Sequence, residues 1–183
     1  MKYLVSLALA LVLVIIYTET ATNKGLNGGI NINDFELLFV EVAQENGHDV
    51  QFSMRGCEEE EKVTCVYSTT TQVGIGAVAA EGSDLVENIT LVFNDENDKK
   101  ELLVYLNDII GVVDPDISDS EKAKIIRQTY SQIAETNYQD ISGKEFTLEG
   151  VKYKSATIVI NDLRYNIAVN ETGDFITLYV KRI

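Results

Sequence analysis

Cys57 and Cys65 are the only thiols in the chain, and Glu58-Glu59-Glu60-Glu61-Lys62 stands between them. In an oxidising compartment a lone pair at this spacing joins as a disulfide. Four consecutive glutamates cannot enter a core without counter-charge, so they mark a solvated tip. With Gln51–Gly56 and Val63–Thr70 as strands, the stretch reads as a hairpin braced by a disulfide. Closing so short a loop stabilises by roughly 2–3 kcal/mol. Redox chemistry would want Cys-x-x-Cys, which is absent, and zinc would want further ligands in a chain with a single histidine. Glu58, Glu59, Glu60 and Glu61 are therefore candidate partner-binding residues, suited to a protein with a basic surface or cleft.

The other chemically suggestive residues read more simply as structure. His48 could act as a base, but no motif places a serine or cysteine nucleophile beside it. It follows Gly47 at a helix end, where an imidazole suits the negative pole of the helix dipole. The acidic run Asp114-Pro115-Asp116-Ile117-Ser118-Asp119 fails as a calcium loop, because its sixth and twelfth places hold Asp119 and Ile125 instead of Gly and Glu. Gly74-Ile75-Gly76 lacks the third glycine, helix and lysine of a phosphate cradle; small residues there suit close packing of another element. The chain has no Gly-x-Ser-x-Gly, Walker loop or His-Glu-x-x-His. No catalytic, cofactor-binding or metal-binding residue is assigned, and no cofactor is expected.

A net charge of −14 argues against nucleic acid as a partner, since phosphate binding needs clustered Lys and Arg. A hydrophobic content of 45% excludes wholesale disorder. Lys2, the apolar run Tyr3–Tyr17 and a polar exit through Thr22 have the layout of a secretory signal, shorter than a spanning helix. Residues 1–22 thus read as a signal peptide, with an uncleaved N-terminal anchor as the alternative and the only expected membrane contact. The expected location is secreted, periplasmic or otherwise extracytoplasmic. Asn88-Ile89-Thr90 and Asn170-Glu171-Thr172 are glycosylation sequons.

Residues 23–32, rich in Gly and Asn, read as a linker, and 33–183 as one α+β domain, divisible at most into halves 33–96 and 97–183. A helix over 34–45 is capped by Asn33, ended by Gly47 and buried along Phe35, Leu38, Phe39, Val42 and Ala43. A core helix over 98–113 buries Leu102, Tyr105, Leu106, Ile109, Ile110 and Val113, with Asp98 and Glu101 as its start. Pro115 breaks it. A second helix over 119–136, opened by Ser118 and Glu121, turns Ile126, Tyr130, Ile133 and Ala134 inward. Strands are expected at 50–56, 63–70, 73–80 and 86–94, then at 144–148, 151–160, 163–170 and 174–182. In the last four, turn spacing sets Tyr165 opposite Ile158 and Tyr179, which puts Ile176, Leu178 and Val180 on the second face. So apolar a second face implies that the last strand is central with both faces covered, or that it meets a partner.

The fold class expected is α+β: antiparallel sheet or sheets of about eight short strands in two four-strand runs, with three helices packed on one face. In element order, helix then four strands, this resembles small secreted inhibitor proteins built from such units. The function expected is an exported non-enzymatic binding module, such as an inhibitor, immunity-type protein or adaptor. One alternative is a small-ligand carrier or hydrolase with a pocket between sheet and helices, drawing on Tyr130, Tyr165 or His48. Another is a structural envelope component held by its uncleaved first segment.

Overall fold

The computed structural model describes residues 29–69, 73–93, 99–134, 143–148, 150–172 and 176–183. Residues 1–22, expected to be a signal, lie outside them, as does Asp98, expected to start the helix over 98–113. The elements run α1 (Phe35–Glu45), β1 (Ser53–Glu59), β2 (Val63–Ser68), β3 (Gly74–Ala79), β4 (Val86–Phe93), α2 (Lys99–Val113), α3 (Asp119–Ile133), β5 (Lys144–Leu148), β6 (Val151–Ile160), β7 (Leu163–Asn170) and β8 (Ile176–Arg182). Both four-strand runs share one antiparallel sheet, ordered β1-β2-β3-β4-β8-β7-β6-β5. The seam is β4 against β8, where Leu91 faces Leu178 and Ile89 faces Val180.

One face of this sheet and the three helices close a single core. Cys65, Tyr67, Ile75, Ala77, Ile89, Leu91, Leu178, Val180, Tyr165 and Ile167 supply the sheet side. The expected face of α2 is buried throughout. An aromatic group joins α1 to the first strands, with Phe39 and Phe52 ring centroids 4.3 Å apart and Phe52 stacked on Tyr67 at 4.9 Å. The Tyr67 hydroxyl donates to the Ile32 carbonyl. Ile30 and Ile32 are buried, and the Ile30 carbonyl accepts from Val86. The last residues of the Gly/Asn stretch are therefore docked, where composition suggested a tether.

Three local expectations need correction. The side chain of neither Asn33 nor Asp34 caps α1; Asp34 holds the N-cap position without a side-chain bond, and Glu36 accepts from the Met54 amide instead. In α3 the buried stripe is Ile125, Thr129 and Ile133, while Tyr130 is 52% exposed. The helix is turned about one residue from the expected face, because adjacent Ile125 and Ile126 satisfy either stripe.

The third correction is register. Tyr165 does face Ile158, but its partner on β8 is Val180, and Tyr179 pairs with Asn166. The register of β8 is shifted by one residue from the one the turn spacing suggested. Since side chains alternate faces, that single step moves Ile176, Leu178 and Val180 into the core and sends Thr177, Tyr179 and Lys181 to the other side. Phe175, expected in the core, lies outside the described residues. β8 is central, between β4 and β7, and Ile176–Val180 are buried on both faces. The face opposite the helices also buries Val78, Val92, Tyr153 and Ala168, which stand outside the main core cluster.

Helix and turn chemistry agrees with the sequence elsewhere. Ser118 and Glu121 form the full capping box of α3, and the serine's hydrogen bonds hold the Glu121 carboxyl below its usual range. At the end of α1 the Gly47 and His48 amides bond back to Gln44 and Ala43, with Gly47 at φ +79°. Asn161 and Asp162, at φ 50° and 61°, make the two-residue turn between β6 and β7.

Candidate functional site

Two places concentrate charge, and their geometries are opposite. The first is the β1–β2 hairpin. Cys57 and Cys65 are direct cross-strand partners with Cα atoms 4.1 Å apart, and their sulfurs are bonded. β1 extends to Glu59, three residues beyond the expected end, so Glu58 and Glu59 are strand residues facing Thr64 and Val63. Only Glu60, Glu61 and Lys62 form the bend. Glu58 and Glu59 consequently project to opposite sides of the ribbon. All four glutamates are exposed, and among the described residues none is paired with a cation. Lys62, their immediate neighbour, is bound instead to Glu87 on β4.

The second place is built around Asp108, which sequence reasoning passed over. It lies on α2 with no exposed surface. Asn46 Nδ2 donates to its Oδ1 at 2.7 Å, and His48 Nδ1 is 3.0 Å from both carboxylate oxygens. Both partners come from the C-terminal end of α1. The two helices can approach because Gly111 has no side chain: a Cβ there would meet Val42 Cγ1 at 2.7 Å. The helix pattern signalled that Asp108 is buried, though not which residues answer it. A helix apolar nearly all round buries its few polar residues too, and a buried carboxylate needs partners.

The chemical capacity of this cluster is narrow. A carboxylate on Nδ1 places the imidazole proton there, which leaves Nε2 free to accept one. Among the described residues, no hydroxyl or thiol is bonded to the imidazole. The arrangement orients a base without supplying a nucleophile. Its evident work is to satisfy Asp108 and lock α1 onto α2.

The remaining candidates separate. Tyr165 is fully buried on β7, its hydroxyl without a partner among the described residues and its ionisation raised by burial and, secondarily, by Asp114. Tyr130 is on the exposed side of α3. Asp114, at the corner between α2 and α3, accepts from Asn161 Nδ2 at 3.0 Å and so ties that corner to the β6–β7 turn. Both sequon asparagines are buried: Asn88 has no exposed surface, and Asn170 donates to Thr172 of its own sequon. Neither is open to a glycosylating enzyme once the domain has folded.

Among the described residues no helix is long and apolar enough to cross a membrane. No protein-family model, curated protein or solved structure matches the chain.

Proposed function

We propose that this protein is an exported, non-enzymatic binding module that presents the Glu58–Glu61 hairpin to a basic surface on another protein. The observation that carries the reading is four exposed glutamates on a cross-linked hairpin, with the adjacent lysine committed elsewhere. Unpaired carboxylates in water lose little hydration until a partner arrives, and they raise the rate of encounter with positive charge. A hairpin already held by its disulfide loses less conformational freedom on docking than a free loop would. The disulfide also suits an oxidising, extracytoplasmic location.

The test is comparative capture from the extracytoplasmic fraction of the protein's own host. Wild type and a variant with all four glutamates changed to lysine serve as baits, and mass spectrometry identifies what is retained. A protein held by the first and released by the second is the expected result. Identical retention by both would remove the hairpin from the mechanism. N-terminal sequencing of the exported form tests whether residues 1–22 are removed; their retention would favour an anchored envelope component.

A further inference from the structure

We propose that the open edge of β1 receives the partner as an added strand, so that recognition runs through backbone hydrogen bonds as well as charge. This rests on the reading that Glu58–Glu61 meet a basic protein, and it specifies the conformation that protein brings.

β1 is an edge of the sheet, and every one of its seven residues is exposed. The 4.1 Å Cα separation of Cys57 and Cys65 is that of a closely spaced antiparallel pair, the kind that exchanges no ladder bonds. The amide and carbonyl of Cys57 therefore point away from β2. By alternation so do those of Glu59, which stands opposite Val63. The edge is closed at its other end, where Glu36 takes the Met54 amide and the register slips at Arg55. What remains open is the short stretch 56–59, cross-linked to β2 behind it and continuous with Glu60 and Glu61.

Open edges invite self-pairing, and charge is a common defence. Here the defence is one-signed. A second copy would lay glutamate against glutamate, which is unfavourable for directly opposed strands. A basic segment meets the same groups as attraction. The edge thus rejects its own kind and admits one class of guest by β-strand addition. Because Glu58 and Glu59 point to opposite sides, the fitting guest carries neighbouring Lys or Arg residues, one for each side. The far edge offers no such choice: β5 begins with Lys144 and Glu145, of opposite sign.

The test uses a short lysine–valine peptide and its N-methylated counterpart, equal in charge but unable to extend a sheet. Binding to the intact disulfide-bonded protein is followed by amide exchange and titration. The expected result is slower exchange at Cys57 and Glu59 and a preference of about tenfold or more for the unmethylated peptide, as one or two backbone bonds would give. Glu59→Pro, which removes an outward amide that β2 does not use, should abolish that preference while Glu59→Gln keeps it. If Glu59→Pro disturbs folding, the peptide pair alone decides. Equal binding of the two peptides, lost on charge reversal, overturns the added strand and leaves the acidic surface standing. Binding of neither overturns the added strand; the host capture then judges the acidic surface separately.

Discussion

Asp108 and the Glu58–Glu61 hairpin show two fates of negative charge in one acidic protein. Asp108 is withdrawn from water and answered by Asn46 and His48 across two helices. The glutamates remain in water and are answered by nothing among the described residues, although Lys62 sits beside them in sequence. In the first place charge specifies how elements of this chain fit together. In the second it is left uncommitted. Burial, more than charge density, separates an architectural carboxylate from one free to meet a partner.

The largest effect should come from breaking the buried side. His48→Ala leaves the Asp108 carboxylate with only Asn46, and an underpaired buried charge costs roughly 2–4 kcal/mol. Urea unfolding should show a lower midpoint with little change in slope. Asp108→Asn should cost less, because a neutral amide tolerates burial better. A loss under about 0.5 kcal/mol for His48→Ala, the range of an ordinary surface change, would dissolve the contrast by placing the cluster with the surface pairs.

Next in size is the disulfide, which belongs to the exposed region yet works through the unfolded chain. For a sequence separation of 8, its reduction should remove about 2–3 kcal/mol. Cys57→Ser with Cys65→Ser should match chemical reduction. The hairpin would then be held by its covalent brace and not by its charges.

A third test acts on buried groups through pH. Burial, and secondarily the Glu36 carboxylate, pushes Tyr67 from its ordinary 10.0 up to about 12. Burial likewise raises Tyr165 and Tyr179. Because the folded phenol holds its proton more tightly than the unfolded one, its contribution is complete below pH 10. It falls as pH rises through about 12, by at most roughly 2–3 kcal/mol for Tyr67. Unfolding midpoints measured across this range should decline, and Tyr67→Phe should flatten part of the decline. An unchanged profile in that variant would mean that Tyr67 is not desolvated.

How far the sequence could be read depended on which residues carried redundant signals. Helix α2 had apolar residues on every turn of one face, and Ser118 with Glu121 by themselves announced α3. The hairpin followed from two cysteines around an unburiable tip. The face of β8 was less secure, because turn spacing and internal alternation disagreed by one residue. Ile176, Leu178 and Val180 against Thr177, Tyr179 and Lys181 is the alternation that prevailed, since hydrophobic burial outweighs the length of a loop. What Asp108 bonds to was hidden for another reason. Its partners lie about 60 positions away, at a separation no local pattern spans. The glutamates were legible as exposed, but their division between strand and bend was not, because β1 continues past the point where its apolar residues stop.

The exposed glutamates should matter least to stability. Changing Glu58, Glu59, Glu60 and Glu61 together to glutamine should leave stability within about 0.5 kcal/mol of wild type. A slight gain is the expected sign, because neighbouring like charges are relieved and no ion pair among the described residues is lost. The gain should be small since Glu58 and Glu59 lie on opposite sides of the ribbon, and smaller still in salt, whose screening length is about 10 Å at 0.1 M. Partner binding should fall in the same variant. A stability loss above about 1 kcal/mol would mean that these carboxylates hold the fold together as Asp108 does, and the division between committed and uncommitted charge would fail.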